Sequence, residues 1–338
     1  MHSLCCSVQS GDFINEVKFI TDRTLLLFYH MKNIGYYIGF ALWFLVSLLP
    51  LRVLYWISDL LYYLLYYVAR YRKRVVYGNL ESSFPGKSPQ EIEKIAKEFY
   101  AFFCDYIVET IKLFSISEKE MRRRMRFEGL DELEKDFASG RSVSLYLGHY
   151  CNWEWISSLG IHCDVQCGQI YHPLENKIFD RLFLYMRGRF KAQSIEMDAT
   201  FLTVLGWKKK GIVNIVGYIS DQVPGYHNIH YWTDFLHHDT PVFTGAERIS
   251  KIMDTSVYYI DIERPKRGHY VGRMVKIADT LNDKPIFYAT ERYFRLLEDT
   301  ICRHPQYWLW SHKRWKRTRE EFNRLFSEEE RKKRLSRL

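Results

Sequence analysis

The sequence lacks most of the signals from which an enzyme class can be read directly. It has no G-x-S-x-G turn and no G-x-x-x-x-G-K-[ST] loop, which argues against a serine nucleophile elbow and a phosphate-binding P-loop. Its seven cysteines form no C-x-x-C pair and no disulfide framework, so a reducing compartment is favoured over secretion. The sequence also has no internal repeat and no low-complexity segment. Any activity must therefore be inferred from less familiar combinations of residues.

Metal and covalent chemistry have weak support. The histidines and cysteines that lie closest together are His162, Cys163, Cys167 and His172. Their spacing matches no standard zinc site, so we expect no metal and no other cofactor. Cys151 is a possible acylated nucleophile, although a small cysteine is more often part of a core.

Apolar and aromatic residues are concentrated near the N-terminus. Residues 34–49 carry no charge, and a second apolar run covers 53–68. Both are rich in Tyr and Trp, which favour membrane interfaces, so we predict a hydrophobic membrane-anchor helix within 31–70. Each run is shorter than the roughly 20 residues of a straight crossing, so a spanning and an interfacial anchor both stay open. A pair of core helices is the alternative.

Charge gives an orientation and a kind of partner. A cationic cluster at 70–74 follows the apolar runs, which by the positive-inside tendency puts the rest of the chain on the cytoplasmic face. The net charge of +9 suggests an acidic partner, substrate or surface. Residues 1–30 precede a second methionine and form an N-terminal extension of unknown role. The apolar run starts too late for a cleaved signal peptide, and no cleavage site follows it.

The periodicity of apolar residues changes along the chain. Residues 71–126 are predicted to be helical, with helices at 89–115, after a Ser88-Pro89 start, and at 118–126. From 127 to 312, strands alternate with helices, which predicts an α/β domain with a central, mostly parallel sheet flanked by helices. Strands are expected at 142–147, 167–171, 212–219, 256–263 and 269–277, the last two joined as a hairpin. Helices are expected at 153–160, 175–190, 199–209, 244–254 and 286–303, with a basic C-terminal helix or tail at 313–338.

The strongest chemical signal is His149 with Glu154, which follow the predicted strand 142–147. Ligands gather at the carboxyl ends of strands in open α/β sheets. An imidazole beside a carboxylate can take a proton from a hydroxyl, and Glu154 would then fix the tautomer of His149 and stabilise the imidazolium. The His-x4-Glu spacing alone is weak. The alternative is that Glu154 only favours the positive end of a helix dipole while His149 packs in the core.

Further polar residues accompany this pair. Arg187 and Arg189 lie late in a predicted helix, where they either bind phosphate or carboxylate or are simply solvated. Asp221 follows the strand 212–219 and would face the same crevice as His149, unless it only supports a turn. Residues 305–316 alternate aromatic and basic side chains, which suits a membrane surface or an anionic lipid. No nucleic-acid-binding motif is present, so no nucleic-acid partner is predicted.

Together these motifs resemble the late (secondary) acyltransferases of lipid A biosynthesis, within the lysophospholipid acyltransferase superfamily, whose members begin with a membrane anchor. The matching segments, in the expected order between residues 31 and 317, are Tyr77-Gly78-Asn79-Leu80 with Phe84-Pro85, His149-Tyr150-Cys151-Asn152-Trp153-Glu154, Tyr171 to Asp180 with Arg187 and Arg189, Gly211 to Pro224 with Asp221-Gln222, and Pro305 to Lys316. Tyr150-Cys151 replaces Phe-Gly, and 232–238 replaces a Phe-Phe-Gly-like turn. These departures bear on acceptor or chain-length specificity.

The resemblance implies a membrane-bound O-acyltransferase of the bacterial inner membrane, with its catalytic domain on the cytoplasmic face. It would move a fatty acyl chain from a thioester, on acyl carrier protein or CoA, to a hydroxyl of a phosphorylated lipid A precursor. His149 would be the general base, supported by Glu154. The residues expected to bind substrate are Asn152, Arg187, Arg189, Asp221 and Gln222. Within these, Arg187 would bind phosphate or the developing oxyanion, and Asp221 would order that arginine or the acceptor. An acyltransferase for a lysophospholipid, aminoacyl lipid or glycolipid, and a non-catalytic lipid-binding protein, are the alternatives.

Overall fold

The computed structural model describes residues 36–335. The predicted N-terminal extension at 1–30 lies outside the described residues. The described chain has the predicted α/β architecture, in which a mostly parallel sheet is flanked by helices.

Two bent helices occupy the region predicted to anchor the protein. Helix α1 covers Tyr36–Leu48, and helix α2 covers Leu51–Tyr63 and continues as a π turn, Leu64–Val68. The pair is bent by 111° around Pro50, which has no N–H with which to continue α1. No single helix within residues 36–335 is long and apolar enough to cross a membrane, although this bent pair passes on length and composition together. The predicted anchor is thus divided in two, and membrane attachment stays a prediction.

Helix α4 joins these N-terminal helices to the rest of the molecule. It follows α3 (Lys73–Ser83), covers Pro89–Lys112 and begins as predicted, since Ser88 and Glu91 form a reciprocal capping box. Two buried carboxylates of α4 bind α2. Tyr55 Oη donates to Glu109 at 2.9 Å, and Ser58 Oγ donates to Asp105 at 2.7 Å. Helix α2 is therefore fixed to the domain by polar contacts as well as by packing.

A seven-stranded sheet forms the centre, with the order β1-β9-β8-β2-β5-β3-β4. The five strands from β8 to β4 run parallel to each other, whereas β1 and β9 run the opposite way. The strands are β1 (Met125–Glu128), β2 (Val143–Leu147), β3 (Gln166–Tyr171), β4 (Ala192–Glu196), β5 (Asn214–Ile219), β8 (Ser256–Lys266) and β9 (His269–Ala278), with β6 (Tyr231–Phe235) and β7 (His238–Val242) as a separate hairpin. All five predicted strands and the β8–β9 hairpin are confirmed.

The remaining helices cover the sheet. They are α5 (Glu118–Arg124), α6 (Leu130–Ala138), α7 (Lys177–Gly188), α8 (Thr200–Lys209), α9 (Gly245–Met253), α10 (Tyr288–Arg303), α11 (Arg319–Leu325) and α12 (Glu328–Leu335). The segment predicted as a helix at 153–160 is a 3₁₀ helix, Trp153–Ile161. The predicted C-terminal helix is two short helices, of which α11 buries Phe322.

The two faces of the sheet are covered differently near the ends of β2 and β5. Because side chains alternate along a strand, Gly217 and Ile219 of β5 face the 3₁₀ helix, while Tyr218 faces α8 and α9. Polar segments leave the carboxyl ends of β2 and β5 together, since Leu147 pairs with Ile219. This edge of the sheet holds the candidate site.

Candidate active site

His149 and Asp221 are brought together by the pairing of β2 and β5. Each follows its strand by two residues, and the parallel register puts both strand ends side by side. The intervening Gly148 is closely packed against Leu297 and Asp221. A Cβ there would lie 2.8 Å from Leu297 Cδ1 and 3.3 Å from Asp221 Oδ2. The glycine therefore allows the turn that presents His149.

Asp221 is the carboxylate partner of His149. Its Oδ1 lies 2.6 Å from His149 Nδ1, and its Oδ2 accepts the backbone N–H of His149 at 2.8 Å. Burial would raise the pKa of Asp221, but the interactions with His149 and the indole of Trp308 outweigh burial and lower that pKa to about 2. Asp221 is thus ionised at neutral pH and holds the proton of His149 on Nδ1.

The other ring nitrogen of His149 faces Gln222. With the proton on Nδ1, Nε2 is the acceptor, and the Gln222 side-chain amide donates to it at 3.1 Å. The ring also meets Trp153 edge-on, with centroids 5.1 Å apart. Nε2 is therefore the nitrogen available for proton transfer once the Gln222 amide is displaced.

Residues 305–312, here called the closing segment, fix the backbone of the turn that follows β2 and carries His149. Leu309 N donates to His149 O at 3.1 Å, and Cys151 N donates to Tyr307 O at 3.0 Å. From the same segment, Trp308 Nε1 donates to Asp221 Oδ2 at 2.9 Å. The closing segment thus holds the His149–Asp221 pair in place.

Glu154 does not contact His149 as the sequence led us to expect. Arg187 binds both of its oxygens, with Nε to Oε2 at 2.8 Å and Nη2 to Oε1 at 2.5 Å. Glu154 is buried, with 4% of its surface exposed. Burial of Arg187 would lower the pKa of its guanidinium, but the neighbouring Glu154 outweighs burial and raises that pKa. The expected roles of Asp221 and Glu154 are therefore exchanged. Asp221 holds the histidine, and Glu154 holds the arginine.

Asn152 is buried and faces away from the crevice. Its Nδ2 donates to Glu109 at 2.7 Å, and its Oδ1 accepts Trp155 N at 3.2 Å, which caps the 3₁₀ helix. Tyr270 donates to the same Glu109 carboxylate at 2.7 Å. Burial raises the pKa of Glu109 against the opposing effect of Arg264. Asn152 therefore positions the turn that follows β2, and the expected direct contact with substrate does not fit this geometry.

Arg189 is likewise used within the fold. Its guanidinium binds the backbone carbonyls of Leu113 and Ile116, the latter at 3.0 Å. These contacts tie the end of α7 to the end of α4. The expected phosphate contact does not fit, because the guanidinium donates to the main chain.

Cys151 is fully buried, and burial raises the pKa of its thiol well above the ordinary value despite the nearby Arg264. A protonated buried thiol is a poor nucleophile, so the geometry favours the packing role. Within residues 36–335, no group of three or more His, Cys, Asp or Glu side chains is placed to hold a metal ion.

A largely apolar pocket opens next to the site. It lies between the sheet and the 3₁₀ helix, and aliphatic side chains form most of its wall. Leu147 and Ile219, just before His149 and Asp221 in their strands, lie at its active-site end. Glu154 and Arg187 are the charged residues of its wall. The pocket therefore joins an apolar channel to the polar groups of the site.

Two contributors to the site were missed from sequence. Glu109 lies inside a helix that was predicted correctly, and its only signal is an acidic residue among apolar ones. Trp308 was assigned to lipid contact, yet its indole binds Asp221. Neither role can be seen without the long-range packing of α4 and the closing segment on the strand ends.

Comparison with known proteins identifies the family of this chain. The family model described as bacterial lipid A biosynthesis acyltransferase matches residues 24–317. The chain is 23% identical over 248 residues to the lipid A biosynthesis palmitoleoyltransferase of Escherichia coli. The aligned region covers 72% of this chain and 79% of that protein. The chain is 24% identical over 159 residues to a lipid A biosynthesis acyltransferase of Haemophilus influenzae, covering 46% and 49% of the two chains. The chain therefore belongs to the bacterial lipid A biosynthesis acyltransferase family and is an acyltransferase.

Proposed function

We propose that this enzyme transfers a fatty acyl chain from an acyl thioester, carried by acyl carrier protein or CoA, to a hydroxyl of a lipid A precursor. The observation that carries the proposal is the His149–Asp221 pair at the mouth of an apolar pocket. The pair can remove a hydroxyl proton, and the pocket can hold an acyl chain. No acyl-enzyme is needed, because the acceptor oxygen attacks the thioester directly.

The proton path follows from the tautomer of His149. The acceptor hydroxyl replaces the Gln222 amide at Nε2 and gives its proton to that nitrogen as its oxygen bonds to the thioester carbonyl carbon. Asp221 stabilises the resulting imidazolium. When the tetrahedral intermediate collapses, the carbon–sulfur bond breaks, and the imidazolium returns the proton to the leaving thiolate. The Gln222 side chain, once displaced, binds the acceptor.

Arg187 supplies positive charge to the developing oxyanion. Its contact with Glu154 uses Nε and Nη2, so Nη1 lies outside the ion pair. A guanidinium held rigidly by a buried carboxylate is pre-organised for charge that appears only in the transition state. Glu154 is thus a positioning residue that acts through Arg187, and Asn152 and Arg189 position the turn and the end of α7.

The protein acts at the inner membrane of a bacterium, with the site on the cytoplasmic face. Support comes from α1 and α2, which expose large apolar side chains such as Leu42, Trp56 and Leu60, and from the exposed basic turn that follows them, with Arg70 and Arg72. An apolar helix flanked by cations suits an anionic lipid surface. The acceptor is itself a lipid, so attachment brings the site to its substrate.

Acyl transfer by the detergent-solubilised full chain tests the proposal. Tetradecanoyl groups on acyl carrier protein and on CoA are offered to a lipid A precursor and to a panel of lysolipids. Product is expected on the lipid A precursor, and His149→Ala should lower the rate on the order of 10²–10⁴-fold with folding intact. Transfer to lysolipids alone would replace the acceptor. Undiminished turnover by His149→Ala would remove the histidine from the mechanism.

A further inference from the structure

Gly217 lines the pocket beside the site. Ile219, Gly217 and Ile215 lie along the same face of β5, and all three line the pocket. Two residues along a strand cover about 6–7 Å. A chain entering past Ile219 therefore meets Gly217 before it reaches Ile215.

The side-chain position of Gly217 is empty but not forbidden. A Cβ built there would lie 3.5 Å from Leu147 Cδ2 and 3.8 Å from the backbone oxygen of Gly168, both ordinary van der Waals separations. Its φ is not among the positive values found in the described chain. Neither local packing nor backbone conformation therefore requires glycine at this position. The missing side chain instead leaves pocket volume.

We propose that Gly217 sets the length of acyl chain that the enzyme accepts, an inference that rests on the proposed acyl transfer. The pocket passes Gly217 in register with Leu145 on β2 and Gln169 on β3. A side chain at Gly217 narrows the pocket at that level and stops a chain there. With glycine, the chain continues toward Ile215 at the deep end.

The donor chain is the occupant that this geometry favours. The pocket begins at Leu147 and Ile219, adjacent to the turns that carry His149 and Asp221. Arg187, the proposed partner of the thioester carbonyl, lies in its wall. A chain attached to that carbonyl enters the pocket directly. The remaining wall, from Ile156 of the 3₁₀ helix to the strands, is mainly apolar, which suits a methylene chain.

Two variants that place side chains of increasing size at position 217 test the proposal. Gly217→Ala and Gly217→Val are compared with the unchanged protein on decanoyl, dodecanoyl, tetradecanoyl and hexadecanoyl donors, with the acceptor fixed. We consider the longest donor that the unchanged protein uses efficiently. For this donor, kcat/KM should fall on the order of tenfold in Gly217→Ala and further in Gly217→Val. The shortest donor should be unaffected. Ile215→Ala, which opens the deep end, should shift preference toward longer chains.

Gly206→Ala is the matched control, because a Cβ at this α8 glycine meets nothing within 4 Å and the residue is outside the pocket. It should leave chain preference unchanged. An equal loss for all donors in the Gly217 variants, or an unchanged preference, overturns the proposal.

Calorimetric binding of the four free fatty acids separates this inference from the proposed function. If the unchanged protein transfers nothing but binds the acids, and Gly217→Val binds only the shorter ones, the pocket assignment stands without the reaction. If transfer occurs but Gly217→Val binds every acid as the unchanged protein does, the length assignment fails and the reaction stands. Absence of both transfer and binding overturns both.

Discussion

Asp221 binds His149 at two points, through the backbone N–H at 2.8 Å and the ring Nδ1 at 2.6 Å. The two residues lie 72 positions apart in sequence and meet because β2 and β5 are neighbours. The double contact fixes both the position and the orientation of the imidazole. It leaves Nε2 as the nitrogen that faces the Gln222 amide.

Replacing this aspartate should damage catalysis more than binding. In Asp221→Asn, the side chain has one acceptor oxygen where the carboxylate has two. It cannot accept the His149 ring Nδ1–H, the His149 backbone N–H and the Trp308 indole N–H together, so the tautomer of His149 is no longer fixed. We expect kcat to fall about 10²–10⁴-fold, with little change in the KM for the donor. Steady-state kinetics at several donor concentrations measures both. A variant with wild-type kcat would show that the pair is structural only.

Asp221 should also stabilise the fold against acid. Its pKa is lowered to about 2 in the folded state, against about 3.9 when unfolded. A lowered carboxyl pKa stabilises the folded state above the unfolded value, and the effect is lost as the pH falls through the folded value. The wild-type advantage over Asp221→Asn in the free energy of unfolding should therefore shrink by about 2 kcal/mol between pH 5 and about pH 2. Urea unfolding across that range measures it, and a pH-independent difference would contradict it.

The Glu154–Arg187 pair should respond differently to single and double substitution. Arg187→Met leaves a buried carboxylate without its partner, which typically costs about 3–5 kcal/mol of stability. Adding Glu154→Gln removes that charge, so the double variant should recover most of the stability. Activity should stay low in both, since both lack the guanidinium. Chemical unfolding together with turnover tests this, and recovery of activity in the double variant would exclude the oxyanion role of Arg187.

Asn152 should contribute to stability and to kcat through its hydrogen bond with Glu109. Asn152→Ala removes one donor from that buried carboxylate and the cap of the 3₁₀ helix, so we expect a loss of about 1–3 kcal/mol in unfolding free energy together with lower kcat. Tyr55→Phe removes another donor from the same carboxylate but leaves the contacts of Asn152 intact. This control should lower stability with kcat unchanged. Equal effects of the two variants on kcat would mean that Asn152 has no separate positioning role.

The exposed face of α2 should bind lipid. Leu60 is 62% exposed, and placing a charge there removes apolar surface from contact with the bilayer. Leu60→Glu should weaken binding to anionic vesicles by about tenfold, the equivalent of one lost leucine contact. Leu325→Glu on α11, where the leucine is 53% exposed, should leave vesicle binding unchanged. Sedimentation with vesicles measures both, and a null effect of Leu60→Glu would place the membrane contact elsewhere.

The elements that sequence predicted well are those with strong local signals. The apolar run before Gly148 indicated β2, and Ser88 with Pro89 marked the start of α4. Strand β4 was missed because exposed polar residues such as Gln193 interrupt its apolar pattern. Strand β1 was missed because four residues with Arg126 and Glu128 read as the end of a charged helix.

The residues of the candidate site could be predicted better than their contacts. His149 and Asp221 were both placed at strand ends in one crevice, and the structure confirms that proximity. The partner of His149 was wrong because Glu154 is nearer in sequence. Strand order, which brings Asp221 from β5, is a property of the whole sheet. Similarly, nothing local indicates that Arg187 comes from α7 to bind Glu154.

The hydrogen bonds between α2 and α4 make the N-terminal region more than a tether. Tyr55 and Ser58 donate to Glu109 and Asp105, and Glu109 in turn binds Asn152 in the turn that follows β2. A version trimmed to begin after α2 would be freed of exposed apolar surface but would open these carboxylates to solvent. Solubility and stability are therefore coupled in this chain, and a soluble form is better sought by making the outer face of α2 polar than by removing the helix.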